Sequence, residues 1–199
     1  MRKTIIIHIF FAIISAIVYA EGILTKGPDL IWNMFLALVA YDAAFIAIQF
    51  KKKWFFLLVA ILWLVFYPNT FYMITDLVHM HWVSDTLWNR ESLHLFMAFV
   101  PSIFFGVLCG IESWNLISGY LKLKWWLEYL AIGAVSFLSS LAIYIGRYDR
   151  LNSWDLVSHP TLVFERLAAA LQRERLLFIL GFTFIQIMSL VFLSKNQSK

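Results

Sequence analysis

The amino-acid sequence predicts an all-α integral membrane protein with about six transmembrane helices in one bundle and a short extracytoplasmic amphipathic helix. Of its 199 residues, 62% are hydrophobic and only 14% are charged. A soluble domain of this size is roughly 45–50% apolar and about 25% charged, so a soluble globule could not bury this much apolar surface. The apolar residues also fall into runs near the length of about 20 residues that a helix needs to cross a bilayer.

The charge balance excludes some classes of function. The net charge is +4, but nucleic-acid binding requires a basic face on a soluble surface, and the sequence offers none. We therefore expect membrane lipids as partners and no nucleic acid. No glycine-rich phosphate loop, nucleophile elbow or zinc-protease motif occurs in the sequence, and no cofactor is predicted.

Six apolar runs define the expected spans, and the third reaches spanning length only if it continues past Pro68. The predicted bounds are residues 4–20, 30–50, 54–74, 93–115, 126–145 and 176–194. No repeat or linker divides the sequence, so residues 1–199 are predicted to form a single transmembrane helical domain. The first run also resembles a secretory signal peptide, and its cleavage is an open alternative.

Lysine and arginine near the ends of the spans predict the orientation of the chain. If the N-terminus lies inside, nine of the sixteen basic residues fall on the cytoplasmic side, in short loops and at the termini. Both termini are therefore predicted to be cytoplasmic. Residues 68–91 and 146–175 are then the two extracytoplasmic segments that carry most of the polar chemistry.

The first polar constellation begins at the proline of the third span. Pro68 removes a backbone donor and is expected to break or kink the helix, after which Asn69 or Thr70 could cap a new helix. A polar stripe near the membrane surface must face protein or water rather than lipid. At about 100° per residue, one stripe about 80° wide contains Asn69, Tyr72, Asp76 and His79.

Asp76 and His79 are the candidate catalytic residues. They lie three residues apart on the predicted helix, so their side chains can meet. A carboxylate that orients an imidazole suits a general base or a proton relay. The alternative is that Asp76 pairs with an arginine and holds the outer surface together. The candidate ligand-binding residues of this segment are Asn69, Tyr72 and Thr75.

A metal site is a further alternative for the same segment. Asp76 and His79 could be joined by His81, with His94 or His159 as another ligand. However, His79 and His81 point to different faces of a helix, and the segment lacks a complete zinc spacing pattern. No metal is therefore assigned.

The second polar constellation occupies residues 146–155. Arg147 and Arg150 are three residues apart, and on a helix they would share a face and form a clamp for phosphate or carboxylate. Asn152 or Ser153 is expected to cap the next helix, with Asp155 close to its N-terminus. The alternative is that an arginine bridges Asp76 or Asp155. The candidate ligand-binding residues here are Arg147, Arg150, Asn152 and Asp155.

Two further features complete the prediction. Residues 160–173 have the pattern of an amphipathic helix that could lie in the outer headgroup region or pack on the bundle. Its apolar face comprises Val163, Leu167, Ala170 and Leu171. Asp42 is the one acid near the middle of a span, and a neutral, hydrogen-bonded carboxylic acid inside the bundle is expected, with His8 as a possible partner.

These motifs resemble an uncharacterised bacterial membrane-protein family, the domain of unknown function number 1361. The resemblance covers about residues 25–190 of the chain. It is carried by Trp32-Asn33-x-Phe35-Leu36-Ala37, by Pro68-Asn69-x-x-Tyr72-x-x-Thr75-Asp76-Leu77-x-His79, and by Tyr144-x-Gly146-Arg147-x-x-Arg150-x-Asn152-Ser153-Trp154-Asp155. It implies a multi-pass membrane protein and brings no activity, cofactor or catalytic residue. We predict that the protein lies in the plasma membrane of a bacterium.

The two constellations are predicted to meet in one outward-facing polar pocket. Three classes of function are open. The first is a protein that handles an anionic lipid or an envelope substrate, as an enzyme if Asp76 and His79 act on it. The second is a structural or accessory membrane protein whose polar cluster is a salt-bridge network. The third is a small transporter, for which the sequence offers little polar lining beyond Asp42.

Overall fold

The structure is a computed structural model, and it describes residues 1–20, 29–50, 52–79 and 90–195. All regular structure in these ranges is helical. The helices are α1 (Arg2–Ala20), α2 (Leu30–Gln49), α3 (Lys53–Phe66), α4 (Pro68–Tyr72), a 3₁₀ helix (Met73–His79), α5 (Arg90–Leu121), α6 (Trp125–Tyr148), α7 (Asp155–Ser158), α8 (Pro160–Ala170) and α9 (Arg173–Leu193).

Six helical segments are long and apolar enough to cross a membrane, which confirms the predicted fold class. Five of them are single helices, whereas α3, α4 and the 3₁₀ helix follow one another as one broken span. The six segments are Arg2–Ala20, Leu30–Gln49, Lys53–His79, Ser92–Leu121, Trp125–Tyr148 and Arg175–Leu193.

Contacts between helices define two ends of the bundle. At one end, Lys3 at the start of α1 forms an ion pair with Glu112 in the C-terminal third of α5. At the other end, Asn33 near the start of α2 donates a hydrogen bond to Asp76 in the 3₁₀ helix. We call these the lower end and the upper end, respectively.

α5 extends six residues beyond the predicted end of the fourth span, to Leu121. The sequence there is interrupted by polar residues, which lowered its apparent hydropathy. Asn115 and Ser118 are nevertheless buried, at 8% and 3% exposure. The side-chain oxygen Oδ1 of Asn115 accepts a hydrogen bond of 2.9 Å from the backbone N–H of Lys195, just beyond α9. The polar residues therefore face protein, and the helix continues.

At the break at Pro68, side chains donate hydrogen bonds to backbone carbonyl groups. Because proline has no N–H, carbonyl groups near the break need other partners. The side-chain amide of Asn69 donates to Phe66 O at 3.0 Å, and the Thr70 hydroxyl donates to Tyr67 O at 2.7 Å. The prediction that Asn69 or Thr70 caps the new helix is thus wrong, since both side chains bond to carbonyl groups and Tyr67 occupies the cap position.

Two glycines of α5 let the broken span approach closely. A Cβ atom on Gly110 would lie 2.5 Å from Thr70 Oγ1 and 2.9 Å from Phe71 Cε2. One on Gly106 would lie 2.5 Å from Met73 Sδ. Glycines four residues apart on one face are a common means of bringing two membrane helices together. They place α4 and the start of the 3₁₀ helix directly against the backbone of α5.

The amphipathic helix is present as α8, and it packs on the bundle. Val163 and Ala170 are buried with Leu141, Ile145 and Ile179 of α6 and α9, so this part of the predicted apolar face is confirmed. Leu167 packs against the same cluster while partly buried. Leu171 is 51% exposed because α8 ends at Ala170, one residue before it.

Asp42 and His8 make the predicted contact, but not inside the bundle. His8 Nε2 lies 3.2 Å from Asp42 Oδ2, so the two side chains are at a common depth. Their side chains remain 45% and 35% exposed, respectively. The expectation of an acid enclosed within the bundle is therefore wrong, because α2 turns Asp42 towards the flank that it shares with α1.

The close approach at Gly110 can be tested by adding a single methyl group. We expect Gly110→Ala to lower the free energy of unfolding by about 1–3 kcal/mol, the usual cost of overpacking, because Thr70 and Phe71 would have to move. The matched control is Gly133→Ala, where an added Cβ meets nothing within 4 Å. That change is expected to be neutral or stabilising, since alanine favours a helix by about 1 kcal/mol. Thermal unfolding in detergent measures both, and equal midpoints would contradict the packing.

Candidate functional site

Arg147 is the centre of the polar cluster at the upper end. Its Nη2 atom lies 2.8 Å from His79 Nε2, and its Nη1 atom lies 4.0 Å from Asp76 Oδ1. The two distant segments of the sequence are thus brought together by one guanidinium. Asp76 and His79 each contact Arg147, which is the arrangement of the salt-bridge alternative rather than that of an isolated dyad.

Asp76 is enclosed by groups that compensate its charge. Its side chain is 0% exposed. Its Oδ2 atom accepts a hydrogen bond of 2.9 Å from the side-chain amide of Asn33. Its Oδ1 atom has no hydrogen-bond partner among the described residues and faces the Arg147 guanidinium. A buried carboxylate is tolerated where such partners are present. We call Asn33, Asp76, His79 and Arg147 the buried polar cluster after Asp76 at its centre, and the other three residues are partly buried.

The predicted polar stripe divides into two because the helix changes its pitch. α4 ends at Tyr72, and a 3₁₀ helix with three residues per turn begins at Met73. In a 3₁₀ helix, residues three apart lie above one another, so Asp76 and His79 share a face. Asn69 and Tyr72, which belong to the α-helical part, turn towards a cavity instead. A projection at about 100° per residue assumes α-helical geometry throughout, so it could not represent the 3₁₀ part of this segment.

Arg150 does not join Arg147 in a clamp. α6 ends at Tyr148, and Arg150 has a φ of 56°, in the left-handed region. The chain has therefore already turned away from the helix, and the side chain of Arg150 is exposed. The predicted paired clamp is not formed, since it required both arginines to lie on one continuous helix.

The loop after α6 is held by Asp155 and Ser153. Asp155 is the first residue of α7, so its predicted place near the N-terminus of the next helix is confirmed, whereas Ser153 has a role that differs from the predicted cap. The Asp155 carboxylate accepts a hydrogen bond of 2.6 Å from the backbone N–H of Asn152. The Ser153 hydroxyl donates to Val65 O at 3.2 Å and accepts from the amide of Asn69 at 3.2 Å. The expected capping of α7 by Asn152 or Ser153 is wrong, because Trp154 is the cap residue.

A cavity of about 450 Å³ lies at the upper end beside the buried polar cluster. It is bounded by α2, α3, α4, α6, α7, α8 and the loop after α6. Most of its lining is apolar and includes Leu36, Leu141, Val163 and Leu167. Its neutral polar lining residues include Asn33, Asn69, Tyr72, Asn152 and Ser153. The cavity can therefore hold an apolar body with a hydrogen-bonding group at one side.

The cavity lining separates the predicted site residues into two groups. Asn69, Tyr72 and Asn152 line it, whereas Asp76, His79, Arg147, Arg150, Asp155 and Thr75 are not among the lining residues. Thr75 is buried, and its hydroxyl donates to Tyr72 O at 2.7 Å within its own segment. The expected single polar pocket is thus a mainly apolar cavity with the buried polar cluster beside it.

Two contributing residues were absent from the predicted set of site residues. Asn33 both lines the cavity and donates to Asp76, and Ser153 joins the loop to the break at Pro68. The sequence could have indicated Asn33, because it is a polar residue within the first turn of the second span. His81, on which the metal alternative depends, lies outside the described residues, so that alternative stays untested.

The model of a family described as Protein of unknown function (DUF1361) matches residues 32–189. This range includes both constellations, the cavity and α8. No curated protein and no solved structure matches the chain.

The buried polar cluster can be tested by removing its cation. We expect Arg147→Gln to lower the free energy of unfolding by about 3–5 kcal/mol, because it leaves the Asp76 carboxylate buried without its compensating charge. Adding Asp76→Asn should recover much of this loss, since both charges are then absent. Thermal unfolding in detergent is the measurement.

Arg150→Gln is the matched control for this experiment. Arg150 is exposed, and we expect a change within about 0.5 kcal/mol. If Arg147→Gln unfolds at the same temperature as Arg150→Gln, the cluster does not stabilise the upper end.

Proposed function

The chain belongs to the family described as Protein of unknown function (DUF1361), which supplies no activity, and we propose from its geometry that it binds a membrane amphiphile. The apolar part of the ligand would lie between α6 and α8. Its polar head would meet the amide and hydroxyl groups of Asn69, Tyr72 and Asn152. The cavity that these residues line is the single observation that carries the proposal.

The dimensions and the lining of the cavity support an amphiphile. Ligand pockets commonly enclose about 300–1,000 Å³ and combine apolar walls with a few polar groups that orient the ligand. This cavity has about 450 Å³, apolar walls and neutral polar groups from α4 and the loop after α6. A fully polar solute would leave the apolar walls unmatched, whereas a lipid chain would not.

Amphiphile binding is better supported than catalysis at this site. Asp76 and His79 both contact Arg147, and neither is among the residues that line the cavity. A general base must reach the proton that it removes from a bound substrate. The buried polar cluster is therefore better suited to fixing the wall of the cavity than to acting on its occupant.

The anionic lipid or envelope substrate expected from the sequence remains part of the proposal, with Arg150 alone of the two predicted arginines as its cation. Arg147 is engaged within the buried polar cluster. Arg150 is exposed and adjoins Leu151 and Asn152, which line the cavity. An anionic head would thus be held by the guanidinium of Arg150 together with the neighbouring amide groups.

The orientation proposed for the chain places the upper end outside the plasma membrane of a bacterium. Lysines and arginines adjoin the lower ends of the spans, where the positive-inside tendency favours the cytoplasm. The cavity would then open at the level of the outer leaflet. Its ligand would be a lipid of that leaflet or an amphiphilic envelope component.

An accessory role is the second candidate function. The complete burial of Asp76 between Asn33 and Arg147 favours it, because such a network can serve stability alone. Amphiphile binding and the accessory role predict different results for a variant that fills the cavity and leaves the buried polar cluster intact. Such a variant loses lipid binding only if the cavity is the binding site.

Filling the cavity tests amphiphile binding. Ala168 lines the cavity from α8 while remaining exposed, so a larger side chain there need not overpack the bundle. We expect Ala168→Trp to weaken the binding of phosphatidylglycerol and phosphatidylethanolamine about tenfold or more, which is about 1.4 kcal/mol. Native mass spectrometry of the delipidated protein with each added lipid measures the change.

The matched control is Leu180→Trp, at an exposed position on α9 away from the cavity lining. It should leave both affinities unchanged. Arg150→Gln should weaken only the anionic phosphatidylglycerol. Equal lipid binding by Ala168→Trp and Leu180→Trp would refute the cavity as the binding site and would favour the accessory role.

Cysteine labelling tests the proposed orientation. Cys109 is buried, so the unmodified protein should give little background. Ser158 at the upper end and Lys124 at the lower end are both exposed. We expect a membrane-impermeant maleimide to label Ser158→Cys in intact cells and Lys124→Cys only after permeabilisation. The reverse pattern would overturn the orientation.

A further inference from the structure

The hydrogen bonds of the polar lining residues determine which kind of head group the cavity can bind. A backbone carbonyl oxygen can only accept a hydrogen bond, and so can an ionised carboxylate. Such an acceptor fixes the orientation of a side-chain amide that bonds to it, because the amide must present its NH₂ group. Two of the amides that line the cavity, those of Asn33 and Asn69, are held in this way.

The NH₂ group of Asn69 is fully engaged within the protein. It donates to Phe66 O at 3.0 Å and to Ser153 Oγ at 3.2 Å, which occupies both of its N–H bonds. The Ser153 hydroxyl in turn donates its single hydrogen to Val65 O. Within the part of the chain that the structure describes, no hydrogen bond engages the amide oxygen Oδ1 of Asn69. The atom that Asn69 can offer a ligand is therefore an acceptor.

Asn33 shows the same pattern from α2. Its Nδ2 atom donates to Asp76 Oδ2 at 2.9 Å, so its Oδ1 atom points away from that carboxylate and has no partner among the described residues. Neither amide oxygen is one of the enclosed, unpartnered atoms found in the described ranges, so both stay accessible from the space that their residues line. Because α2 packs against α4, the two acceptors lie on adjoining walls.

The Tyr72 hydroxyl is a third group open to a ligand. Its ring lies against α6, since a Cβ atom on Gly146 would be 3.6 Å from Tyr72 Cε2. The hydroxyl has no hydrogen-bond partner among residues 1–20, 29–50, 52–79 and 90–195. A phenolic hydroxyl can both donate and accept. The wall formed by α2 and α4 thus offers two acceptors and one group of either kind.

The charges around the cavity favour a neutral donor over an ammonium group. Among the described residues that line the cavity, none is acidic. The nearby Asp76 carboxylate is already engaged by Asn33 and Arg147. Arg150, which adjoins the lining residue Leu151, would repel a second cation. A hydroxyl group needs no counter-charge, whereas a partly buried ammonium group does.

We propose that the cavity recognises a lipid head that carries hydroxyl groups, a refinement that rests on the proposed binding of an amphiphile. Hydroxyl groups of the head donate to Oδ1 of Asn33 and to Oδ1 of Asn69, and one of them exchanges a hydrogen bond with Tyr72. Phosphate and ester oxygens only accept, so they cannot engage the two amide oxygens. A phosphate, where the head has one, is left to Arg150 and Asn152.

Two lipids of equal charge test this inference. Phosphatidylglycerol and phosphatidylmethanol with the same acyl chains both carry one phosphodiester anion, but only the first has hydroxyl groups in its head. We expect the delipidated full chain to bind phosphatidylglycerol about tenfold more tightly, because phosphatidylmethanol leaves the amide oxygens without donors. Native mass spectrometry in an amine-oxide detergent, whose head has no hydroxyl group, measures both affinities.

The contribution of Tyr72 is tested by removing its oxygen atom. Tyr72→Phe breaks no hydrogen bond of the described residues, so the fold should be retained. We expect it to lower the preference for phosphatidylglycerol about threefold and to leave the affinity for phosphatidylmethanol unchanged. The matched control is Tyr129→Phe, at an exposed position near the start of α6, which should keep the full preference.

A third lipid identifies the source of the hydroxyl groups. The glycerol head of a phospholipid and the sugar head of a glycolipid share the required chemistry. A glucosyl diacylglycerol with the same acyl chains is therefore compared with phosphatidylglycerol. Tighter binding of the glucosyl lipid assigns the site to a sugar head, and weaker binding assigns it to a glycerol head; both rankings support a hydroxylated head.

Equal affinity of the unmodified protein for phosphatidylglycerol and phosphatidylmethanol would overturn the inference. A preference that Tyr72→Phe leaves unchanged would overturn it as well. In either case amphiphile binding would stand if Ala168→Trp still weakened the binding of both lipids. If neither lipid binds, or if Ala168→Trp and Leu180→Trp bind both lipids equally, the proposed function fails and this inference fails with it.

Discussion

The upper end of the bundle depends on one constraint, which is that every backbone polar group inside a membrane span needs a partner. Pro68 violates this constraint in the third span by removing an N–H. The side chains of Asn69, Thr70 and Ser153 supply donors to three carbonyl groups around the break, those of Phe66, Tyr67 and Val65. Because Ser153 comes from the loop after α6, this repair also fixes the position of that loop.

The position of the broken span then determines how charge is handled around it. Gly106 and Gly110 admit the segment close to α5, and the change from α to 3₁₀ geometry turns Asp76 inwards. Burial of the carboxylate is compatible with the fold because Asn33 and Arg147 surround it. The charges of Asp76 and Arg147 thus compensate each other within the buried polar cluster. The adjacent cavity has apolar walls and neutral polar groups.

The two groups of ionisable residues in the spans illustrate opposite ways of tolerating charge. Asp76 is enclosed by its own chain and has partners from two other helices. Asp42 has His8 as its partner and is left partly exposed on the flank. The same cost of placing charge in hydrocarbon applies to both. In the first case two other helices enclose the carboxylate, and in the second a single side chain from the neighbouring helix pairs with it on the flank of the bundle.

Much of the architecture was predictable from local properties of the sequence. The six spans follow from hydropathy and length, and the break follows from Pro68, because both depend on the chemistry of neighbouring residues. The end of α5 was misplaced because hydropathy cannot tell whether Asn115 and Ser118 face lipid or protein. The cap residues were misassigned because Asn69 and Ser153 find acceptors that only the folded chain supplies.

The sequence by itself determined that the chain is helical and membrane-spanning, where its third span breaks, and which polar residues adjoin its upper end. Only the tertiary structure decided that Arg147 joins Asp76 and His79, that Arg150 turns away, and that Asn69, Tyr72 and Asn152 line a mainly apolar cavity. The physical reason is that hydropathy and propensity act along the chain. The partner of a charged side chain depends instead on helix pitch and on contacts between residues many positions apart.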